Sequence, residues 1–285
     1  MTPFDDATAL LAAYRAGAAD PESVTCAHLE RMDALDWQLG AYCARSATAL
    51  EEAAASAARW SAGAPLGPLD GVPVIIKDNL VSAGLPAAWG NGELGRRIPG
   101  HDERPVATLR RAGAIVLGKG NTPEFAVEGY TGNATYGITR NPFDPALTPG
   151  GSSGGLVAAV ASGMAVAGVG TDGGGSIRRP AGYTGLWGLK PGIGAVQRGG
   201  GLPQVLLDFE TVGPLTRSAR DLALFQRVLS GHGVRAELGS QRILCVGQID
   251  GAPCDPVLLG PLRDTAERLR AAGPSAVEGQ LGVEL

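Results

Sequence analysis

Two glycine runs in this chain each carry a serine, and a lysine ends an apolar run upstream of both. The first run is Pro149-Gly150-Gly151-Ser152-Ser153-Gly154-Gly155. The second is Gly170-Thr171-Asp172-Gly173-Gly174-Gly175-Ser176-Ile177-Arg178. Glycines lack a Cβ, so consecutive amides can turn together into a concave nest that binds an anion. A serine at the end of such a nest lies beside the charge that an acyl-transfer transition state develops. Each strong donor there is worth about 3–4 kcal/mol. Gly173, Gly174 and Gly175 are therefore candidate oxyanion-hole residues, and Ser176 is the candidate nucleophile. Lys77 follows Val72-Pro73-Val74-Ile75-Ile76, and strand ends of this kind line the ligand crevice of open α/β sheets. To act as a base it must fall from the ordinary lysine pKa of about 10.4. Burial among those apolar residues lowers it, while Asp78 raises it unless that carboxylate turns away.

Other chemistries compete for the same residues. Gly168-Val169-Gly170-Thr171-Asp172-Gly173 spells a dinucleotide-binding pattern, which needs a helix at the glycines and an acid about twenty residues on. Pro180 and Gly182 are expected to interrupt that helix, and no acid lies between Asp172 and Asp208. A phosphate loop would end in Gly-Lys-Ser/Thr, which neither run does. Taken singly, the glycines also suit close packing, Ser153 a helix N-cap and Lys77 a solvated strand end.

Positioning these groups requires strands and helices in alternation, and the pattern predicts them. Leu10, Leu11 and Tyr14 form a helical stripe that stops at Gly17. Asp20-Pro21-Glu22 opens a second helix as N-cap, first-turn proline and dipole-favoured acid. Its stripe is Val24, Leu29, Met32 and Leu35. A third helix runs from Ala49 to Trp60, with Thr48 and Glu51 spaced for a capping box. Strands are expected at Val72–Ile76 and Ala114–Leu117, around a helix from Pro105 to Ala112. Helices follow at Leu156–Ser162, Leu222–Leu229 and Pro261–Ala271, with strands at Ile243–Val246 and from Ala276 to Leu285. This is the α/β rhythm. With no repeat or linker, the expectation is a single domain over residues 1–285.

Composition excludes several classes. Of 285 residues 44% are hydrophobic, enough for a sizeable core, and the 44 glycines follow no Gly-X-Y period. The net charge of −4 lacks the basic excess of a nucleic-acid or anionic-membrane binder. No leader pattern opens the chain and no apolar run is long enough to span a bilayer, so a soluble cytoplasmic protein is expected. Cys26, Cys43, Cys245 and Cys254 show no metal-type spacing and suit buried thiols in a reducing compartment. His28, His101 and His232 are scattered, so no metal is expected. The acid-free stretch holding Arg178, Arg179, Lys190 and Arg198 suits either an anionic substrate or solvated surface.

Together the three segments resemble the amidase signature family. The likeness runs through Gly150 to Gly155, Gly170 to Asp172, Gly174 to Arg178 and Pro180-Ala181. It continues at Gly188-Leu189-Lys190-Pro191, Asn121 with Glu124-Phe125, Asn141-Pro142, and Asp208 through Val212-Gly213-Pro214. It implies a three-layer α/β sandwich whose mixed, mostly parallel central sheet is covered by helices. It also implies a Ser–Ser–Lys triad, with Ser176 as nucleophile, Ser152 as relay after a cis Gly151–Ser152 peptide, and Lys77 as base. The amides of Gly173, Gly174, Gly175 and Ser176 would form the oxyanion hole, with Ser153, Asp172 and Arg178 in support. No cofactor is implied. The implied reaction is hydrolysis of a small-molecule, non-peptide carboxamide to a carboxylate and ammonia or an amine through an acyl-enzyme. Partners could include a second copy as a homodimer; nucleic acid and membrane are not expected. An amidase subunit of an amidotransferase complex and a truncated, non-catalytic paralogue are the alternatives. Gly173 stands where many members carry a bulkier residue, and Gly120 where a hydroxyl is usual. Members are also longer, so the chain is expected to lack their usual C-terminal portion.

Overall fold

The structure is a computed structural model and describes residues 6–232, 242–249, 255–273 and 275–281. The described chain divides into two compact units, the first through Gly233 and the second from Val234.

In the first unit, α1 (Ala7–Ala16) ends on Gly17 in the left-handed region, as its stripe predicts. α2 (Pro21–Leu39) starts on Asp20, whose carboxylate accepts from the Ser23 amide. β1 (Tyr42–Arg45) and α3 (Ala49–Ser61) follow. The capping box expected at α3 does not form: the Thr48 hydroxyl donates to Glu52 instead of accepting from the helix. β2 (Pro73–Lys77), α4 (Arg104–Arg111) and β3 (Ile115–Gly120) come next. Then come the two-residue strands β4 (Gly132–Asn133) and β5 (Gly137–Ile138), α5 (Gly154–Ala161) and β6 (Ala167–Asp172). The unit closes with α6 (Arg178–Tyr183), β7 (Trp187–Gly188), β8 (Thr211–Thr216) and α7 (Ala219–Ser230). α6 corrects the expectation that Pro180 and Gly182 interrupt any helix. Pro180 lies in the first turn, where its missing N–H costs no intrahelical bond.

The sheet order is β1-β3-β2-β6-β8-β7. β2, β3, β6 and β7 run one way, with β1 and β8 opposed, so the sheet is mixed and mostly parallel in strand direction. Strand alternation divides the core. Val74, Ile76, Val116 and Val169 pack with residues of α1, α4 and α7. Ile75, Ile115 and Leu117 pack with residues of α3 and α5 on the other face, and α2 contributes to both. Lys77, two residues beyond Ile75, therefore faces α5. That helix is small-residued and buried from Gly154 to Val160. Its close seating explains two glycines: a Cβ on Gly155 would collide with the Asn121 amide and the Ala41 carbonyl, and one on Gly120 with Leu156.

The second unit pairs β9 (Arg242–Ile249) in parallel with β10 (Ser275–Leu281), with α8 (Pro256–Ala271) between them in sequence. Pro256, capped by Asp255, starts α8; Pro261, expected to start it, lies inside. Cys245, Ala266 and Ala276 form its small core. Among the described residues, no helix is long and apolar enough to cross a membrane. Cys26 is exposed and Cys43 half-buried, so of the described thiols only Cys245 matches the buried expectation; Cys254 lies outside the described residues.

Candidate active site

β2 and β6 are parallel neighbours, so Lys77 and the Thr171–Asp172 end of β6 arrive at the same edge of the sheet. The Ser152–Ser153 turn leads into α5 and brings Ser152 to Lys77. Lys77 is fully buried. Its Nζ lies 2.7 Å from Ser152 Oγ, 3.1 Å from the Thr171 carbonyl and 3.0 Å from Thr171 Oγ1. An uncharged amine has two N–H groups and one lone pair. Thr171 can take both N–H groups, which aims the lone pair at the Ser152 hydroxyl.

The charge on Lys77 is set by opposing effects. Burial is the largest and drives its pKa down to about 7; the carboxylates of Glu210 and Asp172 pull it up, and Arg198 pushes it down. Asp78 turns away: it accepts from the amides of Ala88 and Gly90 and lies 3.8 Å from the buried Lys119 amine. Lys119 in turn donates to the carbonyls of Asp78, Leu80 and Pro86, holding the backbone beyond β2 in place.

Asp172 organises the glycine nest. Its buried carboxylate accepts from the amides of Gly175 (2.7 Å), Ile177 (3.1 Å) and Arg178 (3.2 Å), and from Arg178 Nε and Nη2. Burial pushes this carboxyl up, but Arg178 and the three amides outweigh it and hold it at about 2. Gly175 adopts φ +109°, which lets the loop fold back over Asp172 and which side chains rarely tolerate. The nest expected from three glycines is thereby corrected in one member. The Gly175 amide is committed to Asp172, while the amides of Gly173, Gly174 and Ser176 have no partner among the described residues. Gly173 has a local cause, since a Cβ there would meet the Leu206 side chain. Asp172→Asn is expected to cost about 2–3 kcal/mol at pH 7, because Arg178 is half-exposed and its share is screened. The pKa is depressed, so this stability is present above pH 3.8 and is lost as pH falls through about 2. Denaturant unfolding of both proteins across that window checks it.

Ser176 is nearly buried, at 8% exposure, and its carbonyl accepts from the Ser153 amide at 3.2 Å. This joins the two serine loops through backbone. The Ser176 side chain makes no hydrogen bond among the described residues, so the structure joins Lys77 to Ser152 and leaves the Ser176 hydroxyl free. The Gly151–Ser152 peptide is cis. Flanking groups pin it: Arg179 Nη2 donates to the Gly151 carbonyl and Thr122 Oγ1 to that of Ser152. Ser153 stands at the N-terminus of α5 without capping it, and its buried hydroxyl has no partner among the described residues.

Among the described residues, two cations of the stretch, Arg178 and Arg198, are paired with carboxylates, while Arg179 and Lys190 bond only neutral oxygens. Arg178 is taken by Asp172 and Arg179 by Gly151, while Lys190 binds the Phe209 carbonyl and the Thr211 hydroxyl. Arg198 is buried between Glu103 and Glu210. Sequence reasoning missed Thr171, Asn79 and Thr122 as site residues. Thr171 stands inside the second glycine run and Asn79 two residues beyond Lys77, both within reach of a strand-end argument. Nothing local marks Glu103 or Glu210, which come from distant segments.

The amidase family's sequence model matches residues 23–242. Two relatives are glutamyl-tRNA(Gln) amidotransferase subunits A. That of Moorella thermoacetica is 44% identical over 212 residues, covering 74% of this chain and 43% of the relative. That of an Anaeromyxobacter species is 41% identical over 249 residues, covering 87% and 48%. Among solved structures, the native peptide amidase from Stenotrophomonas maltophilia superposes with a TM-score of 0.83 at 33% identity, covering 96% of this chain and 62% of that one. The chain thus spans about half the length of the curated relatives it matches.

Proposed function

Since this chain belongs to the amidase family, we propose that it carries an amide-cleaving centre that acts on non-peptide carbon–nitrogen bonds through a Ser176–Ser152–Lys77 relay. The observation that carries this is the buried Lys77 amine, held by both oxygens of Thr171 with Ser152 Oγ at 2.7 Å. Neutral Lys77 accepts the Ser152 proton, and Ser152 takes that of Ser176 as its Oγ attacks the carboxamide carbon. The amides of Gly173, Gly174 and Ser176 receive the oxyanion. Reversal of the relay protonates the leaving ammonia or amine, and water then clears the acyl-enzyme to release the carboxylate.

A second reading has specific support. The curated relatives quoted above are amidotransferase subunits, at higher identity than the solved amidase. In that reading the same centre cleaves an amide donor and passes ammonia to a partner subunit. A serine-reactive phosphonate tests the shared centre: intact-mass and peptide analysis should place one adduct on Ser176. A folded chain that stays unlabelled overturns both readings and leaves a non-catalytic paralogue. Ammonia release is then measured on simple aryl and alkyl amides. Turnover supports the free amidase; labelling without turnover supports the subunit.

A further inference from the structure

Lys77 is tied to a buried charge cluster that its catalytic neighbours do not include. Thr171 Oγ1 accepts from Asn79 Nδ2 at 3.0 Å, and the second Asn79 N–H reaches Glu210 Oε1 at 3.2 Å. A carboxylate only accepts, so Glu210 forces the Asn79 amide to present its NH2 group to both oxygens. Arg198 holds the other Glu210 oxygen at 2.9 Å and binds Glu103 through Nε at 2.7 Å. Glu103 in turn accepts from the Val81 amide just beyond β2. The Arg198 and Glu210 side chains are under a tenth exposed and that of Glu103 is 1% exposed, so water does little to screen them.

We propose that Glu210, held by an Arg198 that Glu103 anchors, is a positioning residue for Lys77, acting through Asn79 and Thr171 to fix how the amine is oriented and charged. The inference rests on the reading of Lys77 as the base. The charged groups facing Lys77 are Asp172 at the end of β6 and Glu210 with Arg198 ahead of β8. On β3, Lys119 is turned to Asp78, and α5 carries no charge. Asp172 is neutralised by Arg178, and Glu210 shares Arg198 with Glu103. The cluster therefore keeps one carboxylate charge in excess, which draws a proton toward Lys77 against the pull of burial.

The chain has only three lysines, Lys77, Lys119 and Lys190, so lysine 13Cε NMR titration resolves each one without turnover. In Glu210→Gln the Lys77 midpoint should fall by roughly half a pH unit or more. Lys119, whose carboxylate neighbours are Asp78 and Glu103, should hold its midpoint. An unmoved Lys77 midpoint in folded Glu210→Gln overturns the proposal. Asn79→Ala keeps every charge and breaks the bridge. It should slow phosphonate labelling of Ser176 by about tenfold or more at pH values above the midpoint. Should Glu210→Gln fail to fold, labelling of Asn79→Ala at the wild-type rate overturns the idea. If wild-type Ser176 does not label, the functional reading fails, while the titration still decides whether Glu210 governs Lys77.

Discussion

Ser176→Ala should abolish phosphonate labelling and lower amide turnover by about six orders of magnitude in kcat, the scale seen when a relay's nucleophile is removed. The reason is geometric. Ser176 is the nearly buried hydroxyl at the end of a nest whose Gly173, Gly174 and Ser176 amides have no internal partner among the described residues. Its side chain makes no hydrogen bond there either, so the substitution strands no partner and the fold should stay within about half a kcal/mol of wild type. The variant thus separates chemistry from stability. Turnover equal to wild type, in a protein of unchanged unfolding midpoint, would falsify Ser176 as nucleophile.

Lys77→Met should lose activity and gain stability, with the gain confined to one pH range. Burial lowers the Lys77 pKa from 10.5 to about 7 in the folded protein. Between these values the unfolded chain binds more protons than the folded one, so wild-type stability rises with pH there. The burial penalty is therefore absent above about pH 10.5 and complete below about pH 7. It amounts to a few kcal/mol, since stability changes by about 1.4 kcal/mol for each pH unit crossed between the two values. Methionine escapes the penalty but leaves Ser152 Oγ and both Thr171 oxygens without the amine, which offsets part of the gain. Thermal unfolding should show the variant above wild type at pH 6, with the difference shrinking steadily toward pH 10. A difference independent of pH would mean that Lys77 titrates as an ordinary lysine. In wild type, the same pKa places the acid limb of turnover near pH 7, with activity lost as Lys77 gains its proton.

Much of the fold was legible because its signals are local. Gly17 ends α1 and Asp20 caps α2 by contacts within one turn, so the residues alone suffice. The misses follow from tertiary context. Strand β8 escapes a sequence reading because it contains Gly213-Pro214, and proline argues against a central strand. The Pro214 carbonyl accepts from Leu189, so its missing N–H faces the short edge strand β7, and pairing with β6 is unharmed. The cationic stretch from Arg178 to Arg198 suggests an anionic ligand because the stretch itself holds no acid, yet Asp172 just before it takes Arg178 and Glu210 just after it takes Arg198. Glu103, from another segment altogether, also takes Arg198.

The serine–glycine motifs were written in the sequence itself. The proposed nucleophile, relay and nest depend on residue type and spacing within short segments, where chain geometry leaves few alternatives. Lys77 was also marked, by the apolar run before it. Three things were decided only by the tertiary structure. Lys77 meets Ser152 across seventy-five residues. Asp172 takes the Gly175 amide out of the predicted nest. Burial drives the Lys77 pKa down, against the pull of Glu210 and Asp172 and with a push from Arg198. The reason is the same for each: hydrogen bonding and ionisation in a buried site depend on distances of a few ångströms between groups that the chain supplies from distant segments, and no local pattern encodes those distances.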